Sequence, residues 1–351
     1  MIGALTSALG LGAHDPAFWM PLAMMMVLML MLVAGVLLDG FDLGVGCLTL
    51  FAPEELRLRM LSQLSPWRDA NEFWLFMGLG LFLTAFPHAV QPVFGGLYGP
   101  LALLALGTFL RSVAFEFRMR SSQRARARWL VGFALGSLLV IVAHGLLLAR
   151  VVSNFEEGSG YDWFAWFVVV CVFAFYCLLG ATWLIMRVSG ELRIRALLWG
   201  RRAVRWSAAG AVGVSVVLGF ANPGVLIKWS DGLHWSVVAL LWLFVLLGFV
   251  AIEMLLQRQL NHSYRATVVP FLLVTLIMLA MLGGLAYSFF PYIVLDDVTL
   301  WDGAASVASL RLLLSGLIIA LPVAVIFNVW VYWRMFGLAI APEPPSFRKI
   351  K

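Results

Sequence analysis

The sequence is poor in charge and almost free of cysteine. Only 12% of its 351 residues are Asp, Glu, Lys or Arg, whereas 63% are hydrophobic and the mean hydropathy is +0.97. A soluble globular domain carries about 25% charged residues, so this composition excludes that class and describes a polytopic membrane protein. The three cysteines, Cys47, Cys171 and Cys177, lie in apolar stretches with no C-x-x-C pair and no ordered spacing to histidine. That pattern argues against a disulfide framework and against a zinc site. The first fifteen residues hold no Lys or Arg. The basic n-region of a cleaved secretory signal is therefore missing, and the first apolar run is expected to be retained as a span. H-E-x-x-H, P-loop and nucleophile-elbow patterns are also absent.

What the chain does have is a series of long apolar runs. A helix needs about twenty predominantly apolar residues to cross a bilayer core. On that template nine spans are expected, at roughly 18–50, 71–90, 95–119, 127–152, 161–187, 203–223, 233–256, 266–290 and 308–336. The predicted fold is an all-α polytopic membrane protein, one integral membrane domain over residues 1–351.

Nine spans place the termini on opposite sides of the membrane, and the basic residues orient them. One alternating set of segments holds Arg57, Arg59 and Arg68; Arg118, Arg120, Arg124, Arg126 and Arg128; Arg187, Arg193, Arg195, Arg201, Arg202 and Arg205; Arg258 and Arg265; and Arg334, Arg348, Lys349 and Lys351. The other side keeps Arg150, Lys228 and Arg311, with Arg111 inside a span. By the positive-inside rule the N-terminus faces outward and the C-terminus faces the cytoplasm. The net charge of +6 is thereby accounted for, and no nucleic-acid partner is expected. The outer loops are acidic or neutral, with Glu156, Glu157 and Asp162 in one and Asp296, Asp297 and Asp302 in another. Trp163, Trp166, Trp229, Trp235, Tyr292 and Trp301 gather near span ends, which suits an interfacial belt or packing within the bundle equally well.

Several charges fall where lipid or apolar core should be. The stretch LLDGFDLGVG, residues 37–46, places Asp39 and Asp42 in the inner half of the first span. Asp69 and Glu72 stand at the inner start of the second, and Arg111, Glu116 and Arg118 toward the inner end of the third. A carboxylate at membrane depth is costly and normally faces the bundle interior with a partner. Asp39 and Asp42 share a helix face at i, i+3, and Gly40 with Gly44 forms a G-x-x-x-G surface for close helix approach. Two nearby carboxylates repel unless a cation sits between them or one is protonated, and Arg111 and Arg118 are the candidate cations. Two readings stay open for this cluster: a buried ion-pair network that fixes helix packing, or a proton-conducting path open to the cytoplasm. Among the five histidines only His144 lies inside a span without being near its end. Having no visible second ligand, it is expected to make an interhelical hydrogen bond rather than to bind haem or metal.

These residues carry a family resemblance. LLDGFDLGVG is similar to the aspartate and glycine motif that closes the first helix in subunit II of the cytochrome bd quinol oxidases. SPWRDANEFWLFMGLGLFLTAFP (65–87) resembles that family's W-D-G-N-[EQ]-x-W segment, and LRSVAFEFR (110–118) its F-R-x-x-[AG]-F-[DE]-[FY]-R segment. GATWLIMRVSGELRIRA (180–196), TLWDGAAS (299–306) and VWVYWRMFG (329–337) resemble further segments in family order. The resemblance implies two four-helix bundles plus a ninth helix, in the plasma (inner) membrane of a prokaryote. It implies a chain that holds no haem itself and supports a partner, subunit I, whose haems b and d, or b alone in a variant, oxidise quinol and reduce dioxygen to water. It allows small accessory subunits and a bound quinone.

The resemblance also assigns residues. Asp69 matches the aspartate of W-D-G-N and is the first choice for a proton-path residue, with Glu72, Asp39 and Asp42 as further candidates. Asn71, Trp74, Arg111, Glu116 and Arg118 match positions expected to form a structural polar network. Arg68 replaces the family's Trp and Ala70 its Gly, and the connection between spans six and seven is short for the family. The competing classes are a proton-coupled transporter, for which matching broken helices are expected in two halves, and an orphan structural membrane protein of the same fold.

Overall fold

The computed structural model describes residues 6–7, 9–64, 68–156, 158–261 and 267–336. Trp67, Glu157, His262, Arg265 and residues 337–351 lie outside them, as do the side chains of Asp69 and Arg124. Twelve α-helices follow one another among the described residues: α1 (Pro16–Leu48), α2 (Glu54–Ser62), α3 (Arg68–Ala85), α4 (Pro87–Arg120), α5 (Gln123–Val152), α6 (Ser159–Arg187), α7 (Glu191–Ala221), α8 (Pro223–Ser230), α9 (Gly232–Asn261), α10 (Val269–Phe289), α11 (Leu300–Gly303) and α12 (Val307–Phe336). Eight of them, α1, α4, α5, α6, α7, α9, α10 and α12, are long and apolar enough to cross a membrane, while the apolar part of α3 is the shorter Ala70–Ala85.

Local chemistry sets the helix starts. Asp15 caps α1 by accepting a hydrogen bond from the Ala17 amide at 2.8 Å, and Pro16 fills the first helical position, where its missing N–H costs nothing. Pro87 starts α4 in the same way. The preceding Phe86 is pushed out of the helical region to φ −129°, ψ 54°, so α3 ends at Ala85. The expected boundary between the second and third spans, near residue 90, is thus corrected to Phe86. The expected sixth span, from 203, lies in a helix that begins earlier, at Glu191. The arginine-rich stretch before it is helical, helped by a Glu191–Arg195 pair at 2.7 Å one turn apart.

The helices pack around α6, whose most apolar stretch is 83% buried, whereas that of α12 is only 6% buried. α1 lies against α3, α5 and α6; α4 pairs with α5, α6 with α7, and α9 with α7 and α10. The α1–α6 crossing is very close. A Cβ at Gly44 would collide with the Tyr176 carbonyl, and one at Gly180 with the backbone nitrogen of Val45, so only glycines permit it. Beside the crossing, Phe41 stacks on Trp183 with ring centroids 4.1 Å apart. At the opposite end of the bundle a two-stranded antiparallel hairpin, β1 (Tyr292–Val294) and β2 (Val298–Thr299), leads into α11, where Thr299 and Asp302 form a capping box. The Trp301 indole donates to the Phe18 carbonyl at 3.0 Å and pins this loop to the start of α1.

Candidate functional site

A charged network gathers at the end of the bundle that carries the arginine-rich connections. Asp39 and Asp42 lie near the end of α1; Arg68, Asn71 and Glu72 open α3; Arg111 and Ser112 stand in the last third of α4; Asn328 and Tyr332 lie near the end of α12. Arg111 is the centre, with no solvent exposure. Its Nη2 donates to Asp39 Oδ1 at 2.7 Å and to Glu72 Oε1 at 2.6 Å. The same Glu72 oxygen accepts from Arg68 Nη1 at 2.6 Å, and Glu72 Oε2 accepts from Ser112 Oγ at 3.2 Å. Two guanidiniums thus face two carboxylates. Such balance is what makes buried charge tolerable, because each ion alone would carry a desolvation cost of several kcal/mol.

Asp42 is a third carboxylate and is fully buried. It is held by a neutral chain instead: Asn71 Nδ2 donates to Asp42 Oδ2 at 2.9 Å and to the Leu38 carbonyl at 3.0 Å, and Tyr332 donates to Asn71 Oδ1 at 2.8 Å. Asn328 Nδ2 adds a contact to the Ala70 carbonyl at 3.3 Å. Asp42 Oδ1 and Arg111 Nε and Nη1 have no hydrogen-bond partner among the described residues. The backbone makes room for this arrangement at Gly136 of α5, where a Cβ would stand 2.6 Å from the Arg111 nitrogen.

Of the residues singled out in the sequence, the structure brings together Asp39, Asp42, Asn71, Glu72 and Arg111. Asp69 sits in the first turn of α3, with its side chain outside the described residues. Glu116 is not part of the network and is corrected here: it is exposed and pairs with Arg120 at 2.7 Å. Five residues past Arg111, at 100° per residue, it points about 140° away around the helix. Arg118 returns to the Arg111 face but lies about 10 Å further along. It is buried over the Phe115 ring, 3.3 Å from the centroid, with no ion pair among the described residues. Trp74 is corrected as well, because it packs in an apolar cluster with Met24, Met31 and Leu81 rather than in the polar network.

Arg68, Ser112, Asn328 and Tyr332 are members of the network that the sequence reading did not assign to it. The i, i+4 spacing of Arg68 and Glu72 was the available signal for the first.

A cavity of about 1040 Å³ opens beside Glu72 and Ser112. His144 and Tyr176 stand on its wall, joined from α5 to α6 by a 2.9 Å hydrogen bond between His144 Nδ1 and the phenol, which is the interhelical bond expected of that histidine. The rest of the wall is almost wholly apolar, including Phe76, Phe82, Phe109 and Phe175. Among the described residues no three His, Cys, Asp or Glu side chains converge where a metal ion would sit.

Comparison with known proteins places this geometry. The chain is similar to subunit 2 of the cytochrome bd-I ubiquinol oxidase of Escherichia coli strain K12, 28% identical over 87% of this chain and 93% of that one. It is similar to a probable cytochrome oxidase subunit 2 of Haemophilus influenzae, 28% identical over 85% and 89% of the two chains. Its fold resembles a chain in the structure of bd oxidase from Geobacillus thermodenitrificans, with a TM-score of 0.73 over 90% of this chain and 98% of that one at 18% identity. The profile of the cytochrome bd terminal oxidase subunit II family matches residues 20–335, a stretch that contains the whole charged network and every long helix but its outermost turns, and the chain belongs to that family.

Proposed function

We propose that this chain is subunit II of a quinol:oxygen oxidoreductase in the respiratory chain of a prokaryotic plasma (inner) membrane. It pairs with a haem-bearing subunit I and supplies a proton route from the cytoplasm, without catalysing the redox chemistry itself. In this reading α3 also crosses the membrane and brings the spans to nine, the helices form two four-helix bundles plus α12, the N-terminus faces outward and the C-terminus inward. The observation that carries the proton role is the Arg111–Asp39–Glu72–Arg68 network. It gathers four ionisable side chains linked by ion pairs of 2.6–2.7 Å at one end of the bundle, and its Glu72 and Ser112 line the cavity.

The haems of subunit I supply electron transfer and dioxygen reduction when bound. The residues of this chain do the proton work. Asp69, in the first turn of α3, collects protons, and Glu72 holds or passes one while Arg111 and Arg68 set its charge. Asp42 Oδ1 offers a further unpaired acceptor in the same network. The apolar cavity has the size and lining for a bound quinone, headed by Glu72, Ser112, His144 and Tyr176.

Support against the transporter class comes from helix continuity. α1 runs unbroken through Gly40, Gly44 and Gly46, and α10 through Gly283 and Gly284, so the half-helices typical of such sites do not occur there. The deciding experiment isolates the chain from its native membrane, with and without the product of the neighbouring gene, and records reduced-minus-oxidised haem spectra. Co-purification with a haem-bearing subunit, and loss of quinol oxidase activity on deletion of this chain, are expected. A chain that purifies alone, haem-free, and whose deletion leaves oxidase activity intact overturns the proposal and leaves the orphan class.

A further inference from the structure

The inner end of α7 carries a second concentration of charge that takes no part in the network around Arg111. Arg201, Arg202 and Arg205 stand with Leu198 at i, i+3, i+4 and i+7 and line a shallow pocket of about 140 Å³. Arg201 reaches across to α9, where its Nη2 lies 2.9 Å and its Nε 3.1 Å from Glu253 Oε1; Arg205 Nη2 lies 3.5 Å from the same oxygen. Arg202 has no ion-pair partner among the described residues. Three guanidiniums therefore face one carboxylate, and the pocket keeps an excess of two positive charges.

The surface running from the pocket toward the other end of α7 is apolar and exposed. Trp206, Val212, Val216 and Phe220 follow one another along the helix, each exposed. From Arg205 to Val216 the helix rises about 16 Å at 1.5 Å per residue, roughly one leaflet of a 30 Å hydrocarbon core. A cationic pocket at the head of a leaflet-deep apolar track, with a tryptophan at the junction, has the layout of a phospholipid. A soluble anion would have no use for the track.

We infer that this face of α7 binds an anionic phospholipid, its phosphate seated among Arg201, Arg202 and Arg205 and its acyl chains along Val212 and Val216. The excess of two charges favours a headgroup with two phosphates, such as diphosphatidylglycerol, over one with a single phosphate. Glu253 stays paired to Arg201 and orients that guanidinium, while Arg202 and Arg205 supply the attraction. Basic pockets between transmembrane helices on the inner side recognise such headgroups by the same physics.

The test uses the full chain in its native complex, delipidated and returned to nanodiscs of phosphatidylethanolamine containing a small fraction of diphosphatidylglycerol. Retained lipid is counted by native mass spectrometry. Each guanidinium near the surface contributes roughly a fivefold factor, so the double variant Arg202→Gln/Arg205→Gln should lose retained diphosphatidylglycerol by on the order of twentyfold. Arg202→Lys should keep most of it, and Arg195→Gln, which removes a different inner-surface arginine, should lose none. Unchanged retention in the double variant overturns the inference. So does equal competition by inorganic phosphate at the same concentration, because that would mark a simple anion pocket and leave the apolar track without a role.

Discussion

The same chemistry appears twice at the arginine-rich end of this molecule, in two physical settings. Around α1, α3 and α4 the pairs Arg111–Asp39 and Arg111–Glu72 are enclosed, with the guanidinium wholly inaccessible to solvent. Between α7 and α9 the pair Arg201–Glu253 has a closely similar separation, but both side chains remain more than a quarter exposed. Distance alone does not separate the two. What separates them is the cost of removing one partner: an uncompensated buried charge on one side, a rehydrated side chain on the other. The proposed proton route therefore uses the enclosed set, and the proposed lipid site the open one.

That contrast is broken most sharply by Arg111→Ala. The substitution leaves Asp39 and Glu72 buried without their shared cation, and a loss of about 3–5 kcal/mol is expected, seen as a large drop in the melting temperature of the purified complex or a failure to assemble. The seam between the two settings is the α1–α6 crossing. There Gly180→Ala forces a Cβ into the Val45 backbone and should cost about 1–3 kcal/mol. Gly99→Ala on α4, where a Cβ meets nothing within 4 Å, should instead be neutral or stabilise by up to about 1 kcal/mol, as helix propensity dictates. The smallest effect belongs to Glu253→Gln. Its pair is partly exposed, so stability should change by no more than about 1 kcal/mol and turnover should be unaffected. A melting shift for Glu253→Gln as large as that for Arg111→Ala would erase the distinction.

Much of the network is legible in the sequence because charges inside apolar runs are conspicuous. Asp39, Asp42, Glu72 and Arg111 could be singled out by type and depth alone. Glu116 was misassigned for a geometric reason: depth places a residue along the helix axis, whereas its angle about the axis decides whether it faces the interior. Tyr332 and Asn328 escaped because α12 is 258 or more residues away in sequence from the groups it contacts, and one sequence carries no pairing information across that distance. The helix limits show the same division. Pro16 and Pro87 mark starts through their own backbone chemistry, but hydropathy sees only the part of a helix that lies in apolar surroundings. It therefore missed the first three turns of α7, where Glu191 and the following arginines extend the helix beyond the apolar stretch.

Whether the enclosed network delivers protons is decided by oxygen-pulse proton uptake in proteoliposomes. The comparison is between the wild-type complex and the variants Asp69→Asn, Glu72→Gln and Glu253→Gln, with haem content measured on each sample. Proton uptake slowed at least tenfold in Asp69→Asn and Glu72→Gln, with haem content near normal and Glu253→Gln unchanged, is the predicted result. Uptake at the wild-type rate in both Asp69→Asn and Glu72→Gln with haem retained would contradict it, and the network would then be a structural brace.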